Sequence, residues 1–98
     1  MEKKKSEKES ILQSEVLITN TLGLHARAAA KFVKLASQYK AKSFVDKDGE
    51  TVSGRSVMGL MMLAAAPGSK IKIRTQGAEA KQALEALKKL VEGKFNEE

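Results

Sequence analysis

The chain has 98 residues, 42% of them apolar, a formal net charge of +6, one histidine and no cysteine. That length supports one small domain near the lower size limit for a self-sufficient core. The absence of cysteine excludes a disulfide framework and a thiolate metal site, and a lone histidine excludes a multi-histidine zinc or iron centre within one chain.

Residues 1–13 read as a flexible charged N-terminal arm, and residues 14–98 as the domain. The residue pattern leaves open whether Ile11 and Leu12 pack on the domain. The opening Met1-Glu2-Lys3-Lys4-Lys5 lacks the apolar segment of a signal peptide. The longest apolar run, Leu60 to Pro67, is too short to span a bilayer, so no membrane insertion is expected. A cysteine-free chain without targeting signals fits the cytoplasm.

Ser14 to Thr19 has the β-branched content of a strand, with Val16 and Ile18 on one face. Asn20-Thr21-Leu22-Gly23 reads as a loop. Ala26 to Tyr39 is expected to be a helix, because Ala29, Phe32, Val33 and Ala36 recur at helical spacing. Lys42–Asp46 and Glu50–Ser53 flank an Asp48-Gly49 hairpin signal. Ser56 to Ala66 reads as a short helix capped by Ser56 and ended by Pro67-Gly68. Ser69 to Thr75 alternates Ile71, Ile73 and Thr75 with Lys70, Lys72 and Arg74, which predicts a strand with one buried and one wet face. Ala78 to Val91 carries the stripe Ala80, Ala83, Leu84, Leu87 and Val91, which predicts a helix capped near Gly93. The tail from Lys94 to Glu98 is expected to fray. The order β-α-β-β-α-β-α predicts an α+β, two-layer sandwich with helices covering the apolar face of a sheet.

The chemistry concentrates in Gly23-Leu24-His25-Ala26-Arg27-Ala28. A neutral imidazole can attack phosphorus. At a helix start, the charged product meets free N–H donors and the positive end of the helix dipole. Arg27 can add charge-assisted hydrogen bonds to phosphoryl oxygens. The plain alternative is a capping histidine with no task. Ser56 suits an N-cap, worth about 1 kcal/mol; it also suits regulation, since a phosphate there would add negative charge to the nearby surface. The run Val57-Met58-Gly59-Leu60-Met61-Met62-Leu63 has too many apolar groups for one short helix to bury. Leu60 and Leu63 are expected inward; Val57, Met58 and Met61 are expected at least partly outward, as a docking patch. Arg27, Lys31, Lys34 and Arg55 are candidates for a basic rim around it. The plain reading of the net charge is solubility together with attraction to acidic partner proteins. The scattered lysines and missing stacking aromatics argue against nucleic acid.

These two motifs carry a resemblance. From about Ser14 to Val91 the chain resembles the HPr family, histidine-containing phosphocarriers of the bacterial phosphoenolpyruvate-dependent phosphotransferase system. The resemblance rests on Gly23-Leu24-His25-Ala26-Arg27 and Ser56-Val57-Met58-Gly59-Leu60-Met61. It implies an open-faced β-sandwich, a four-stranded antiparallel sheet covered on one face by three helices. It implies that His25 takes a phosphoryl group on Nδ1 from phosphorylated enzyme I and passes it to an enzyme IIA-type partner. Arg27 corresponds to the phosphate-stabilising arginine, and Ser56 to the serine that a kinase/phosphorylase modifies in some lineages. Val57, Met58 and Met61 match the family's docking patch, and Lys34 of the candidate basic rim is expected on the same partner-binding surface. No cofactor and no metal are implied. Such a carrier forms a covalent phosphohistidine without being a free-standing enzyme.

The family usually has proline where this chain has Ala28, which leaves the helix start looser but the assignment unchanged. Both the sugar-transport and the nitrogen-regulatory branches fit. The alternative reading is a regulatory binding module switched by phosphorylation of Ser56, without sugar transport.

Overall fold

Alternating apolar residues in the strands give the sheet one inner face. The computed structural model describes residues 10–97. Their four strands are β1 (Ile11–Leu17), β2 (Lys42–Lys47), β3 (Glu50–Ser53) and β4 (Lys70–Gln76). They form one antiparallel sheet in the order β1-β4-β2-β3. Three helices follow the expected order: α1 (Ala26–Ala36), α2 (Val57–Met62) and α3 (Ala80–Glu92). The result is the expected α+β open-faced sandwich. Among the described residues, no helix is long and apolar enough to cross a membrane.

Register stacks the inward residues. Val16 lies opposite Ile71, and Ile73 lies between Ser14 of β1 and Val45 of β2. Phe32 of α1, Leu60 of α2 and Leu87 and Val91 of α3 close over them, all fully buried. On the other face, Arg74 grips Asp46 through Nε at 2.7 Å and Nη2 at 3.0 Å, and its guanidinium lies 5.1 Å from the centre of the Phe44 ring. The hydrogen bond from Arg74 outweighs burial and holds the Asp46 carboxyl below its ordinary value. The Asp48-Gly49 turn is as predicted, with φ of 51° and 85°, the two positive values that a two-residue hairpin needs.

Several boundaries differ from the sequence reading. β1 begins at Ile11, so Ile11, Leu12 and Gln13 pair with β4 and belong to the domain instead of the arm. The remainder of the expected arm, residues 1–9, lies outside the described residues. Helix α1 ends at Ala36 because Gln38 and Tyr39 donate to carbonyls three residues back and tighten the last turn. Helix α2 ends at Met62, not Ala66, since Ala64 turns left-handed at φ 52°. Helix α3 starts at Ala80, where Glu79 stands as N-cap without a side-chain cap bond; its Oε1 instead accepts from the Lys40 N–H at 2.7 Å.

The largest departure is the tail. Gly93 does cap α3, but the chain then makes a left-handed turn at Lys94, Phe95 and Asn96, with φ of 59°, 54° and 58°. Non-glycine residues in this region cost about 1–3 kcal/mol each. Phe95 is fully buried in the core, and the Lys31 ammonium donates to the Phe95 carbonyl at 2.7 Å. Those contacts hold the strained turn, so residues expected to fray are fixed as far as Glu97.

Candidate functional site

The loop from Asn20 to Leu24 sets the position of His25. Gly23 has a φ of 68°, and a Cβ there would lie 2.5 Å from the Ala65 carbonyl oxygen, so both conformation and space require glycine. Leu24 N–H donates to that same oxygen at 2.9 Å. The early end of α2 therefore has a consequence at the site: it frees the Ala65 carbonyl to hold the histidine loop. Asn20, fully buried, donates from Nδ2 to the Gly23 carbonyl at 2.8 Å and fixes the loop from inside.

His25 is itself the N-cap of α1, with φ −84° and ψ −176°. Its Nδ1 accepts the Arg27 backbone N–H at 3.2 Å. The helical hydrogen-bond ladder starts at Ala29, whose N–H reaches the His25 carbonyl at 2.8 Å. The N–H groups of Ala26, Arg27 and Ala28 thus precede the ladder. A quarter of the His25 side chain is exposed. The ring lines an open cleft with Thr21, Leu22, Ala26, Arg27 and Glu97. Among the described residues, the Arg27 guanidinium has no hydrogen-bond or ion-pair partner. The structure therefore brings His25 and Arg27 to one cleft, with Nδ1 turned toward the helix start.

Ala28 is the third residue of α1 and is buried. Its N–H lies ahead of the ladder, so alanine in place of proline changes no helical bond. Ser56 caps α2, its Oγ accepting the Gly59 N–H at 2.9 Å. Leu60 and Leu63 are buried, whereas Met58 is 70%, Met61 40% and Met62 74% exposed; Val57 is half-buried. Lys34 is exposed in the last turn of α1 and does not line the His25 cleft. The basic rim is smaller than expected. Lys31 is bound to the tail, and Arg55 Nη2 donates to the Tyr39 and Ala41 carbonyls, both at 3.3 Å.

Sequence reasoning missed Glu97. Its Oε1 lies 3.1 Å and its Oε2 3.0 Å from His25 Nε2, and Asn20 Nδ2 approaches Oε1 at 3.3 Å. Burial raises the Glu97 pKa, but hydrogen bonds from His25 and Asn20 outweigh it and leave the carboxyl below its ordinary value. One signal was present in the sequence. Phe95 continues the stripe of Leu87 and Val91 at the same four-residue step, so the tail was more apolar than its charges suggested.

An open-faced sandwich that offers one imidazole at a helix N-terminus, with a guanidinium in the same cleft, is the architecture of a phosphoryl-carrier domain. A family model described as the PTS HPr component phosphorylation site matches residues 12–93. The phosphocarrier protein HPr of Neisseria meningitidis is 48% identical over 87 residues, which cover 89% of this chain and 98% of that protein. A crystal structure of HPr from Bacillus anthracis superposes with a TM-score of 0.80 at 45% identity, covering 84% of this chain and 98% of that one. The HPr-like protein Crh of Halalkalibacterium halodurans is 39% identical over 82 residues, covering 84% of this chain and 98% of its own. The chain belongs to the HPr family, phosphocarrier proteins of the bacterial phosphotransferase system.

Proposed function

We propose that this chain relays a phosphoryl group on Nδ1 of His25, receiving it from phosphorylated enzyme I and passing it to an enzyme IIA-type protein in the cytoplasm. The observation that carries the reading is the N-cap geometry: the partly exposed ring turns Nδ1 toward the start of α1. In an in-line displacement, the Nδ1 lone pair forms the N–P bond. The bond from phosphorus to the donor atom breaks, and that atom keeps the electron pair. The Arg27 N–H, released from Nδ1, and the neighbouring N–H groups can then turn to the phosphoryl oxygens. The Arg27 guanidinium supplies charge-assisted bonds to the same oxygens. Onward transfer reverses these steps with a new acceptor. The exposed Met58 and Met61, with Val57 and Lys34, form the docking surface that both partners would use in turn.

A second reading draws on the likeness to Crh, an HPr-like protein. Ser56 caps the helix that carries Met58 and Met61. A kinase/phosphorylase acting on Ser56 would place negative charge beside the docking surface and switch its partners.

Incubation with enzyme I and phosphoenolpyruvate separates the two. The carrier reading expects acid-labile, base-stable phosphate on the chain, abolished in a folded His25→Ala variant. Labelling that survives in His25→Ala would place the acceptor elsewhere.

A further inference from the structure

The described residues give His25 a second partner that lies beyond the family match, which stops at residue 93. The Arg27 backbone N–H can only donate, so the His25 Nδ1 it reaches bears a lone pair. In the neutral ring the proton must then sit on Nε2, 3.1 Å from Oε1 and 3.0 Å from Oε2 of Glu97. The carboxylate is held there by Asn20 Nδ2, by the buried Phe95 two residues earlier, and by the Lys31 grip on the Phe95 carbonyl. These contacts do not involve the partners of the carrier.

We propose that Glu97 is a positioning residue that selects the reacting nitrogen: it keeps the proton on Nε2, shields Nε2 from phosphorus, and leaves Nδ1 as the nucleophile. The proposal rests on the carrier reading and adds to it the choice of atom. A carboxylate that fixes the tautomer of an imidazole does the same in nucleophilic triads. Charge balance gives it a second task. When the Nδ1 lone pair forms the N–P bond, Nε2 keeps its proton, the ring gains positive charge, and the donor atom leaves with the electron pair of its old bond. Glu97 faces that ring charge. When phosphorus departs, the pair returns to Nδ1 and the ring is neutral again, still protonated on Nε2. No proton has to move in either direction.

Because the chain has a single histidine, ring nitrogen-15 spectra of the full-length protein report one imidazole. At alkaline pH the wild type should show one pyridine-type Nδ1 and one pyrrole-type Nε2. Glu97→Ala should move both signals toward a common, averaged position, and Glu97→Gln, whose carbonyl can still accept, should stay near the wild type. A Glu97→Ala spectrum identical to wild type overturns the proposal. Phosphoramidate, a small donor that needs no partner protein, tests the choice of atom. The ratio of Nε2 to Nδ1 adduct should rise about tenfold in Glu97→Ala, the loss of one charge-assisted bond; an unchanged ratio overturns the proposal. Enzyme I with phosphoenolpyruvate tests the carrier reading separately. A wild-type chain that shows the predicted tautomer yet takes no phosphoryl group overturns the carrier reading while leaving the tautomer assignment standing.

Discussion

At the scale of single residues, the site is built from groups whose roles are set by what each can donate or accept. His25 caps its own helix, so the ring is oriented before any partner arrives, and in the proposed relay that orientation lowers the entropic cost of transfer. Glu97 makes the arrangement pH-sensitive. Its folded pKa lies below the ordinary value, so its contribution to stability is present above the unfolded value and is lost as pH falls through the folded one. The groups facing it are His25, Asn20 and Lys31. Urea titrations should therefore show Glu97→Gln less stable than wild type near neutral pH. The gap should close in acid, once wild-type Glu97 is protonated. A gap that persists unchanged at acid pH would mean that the carboxylate charge is not what holds the tail.

At the scale of elements, the tail and α2 matter most. Phe95 anchors the left-handed turn that delivers Glu97, and its side chain is fully buried. Phe95→Ala should cost about 3–5 kcal/mol by chemical denaturation, the range for emptying a large aromatic site. It should also release Glu97 from His25. A loss below 1 kcal/mol would mean that the turn is peripheral to the core. Helix α2 joins two features that sequence treats separately. Its outer side carries Met58, Met61 and Met62, and its early end presents the Ala65 carbonyl to the histidine loop. Ser56→Asp keeps an N-cap acceptor, so the fold should persist while a charge is added beside the methionines. Phosphoryl transfer from enzyme I should then slow through a raised KM; unchanged kinetics would place docking elsewhere.

At the scale of the molecule, the sandwich was legible because local periodicity and the hairpin turn agree with the final packing. Strand faces, the Ser56 cap and the inward Leu60 and Leu63 follow from residue spacing alone. Element ends were less legible. Ala64 adopts a left-handed φ for a tertiary reason, the bond between the Ala65 carbonyl and Leu24, and an alanine run gives no hint of it. The histidine half of the site was readable, since His25 and Arg27 sit on one turn of helix start. The Glu97 half was not, because it is joined to His25 across 72 residues of chain through a strained turn that neither lysine nor phenylalanine favours. The three scales meet in one nitrogen atom. Phosphorus and nitrogen-15 spectra of the chain phosphorylated by enzyme I, followed by addition of an enzyme IIA-type acceptor, test it directly. We expect a phosphorus–nitrogen coupling at Nδ1 of His25 that vanishes as the acceptor gains the label. Phosphorus found on Nε2, on Ser56 or nowhere on the chain would contradict it.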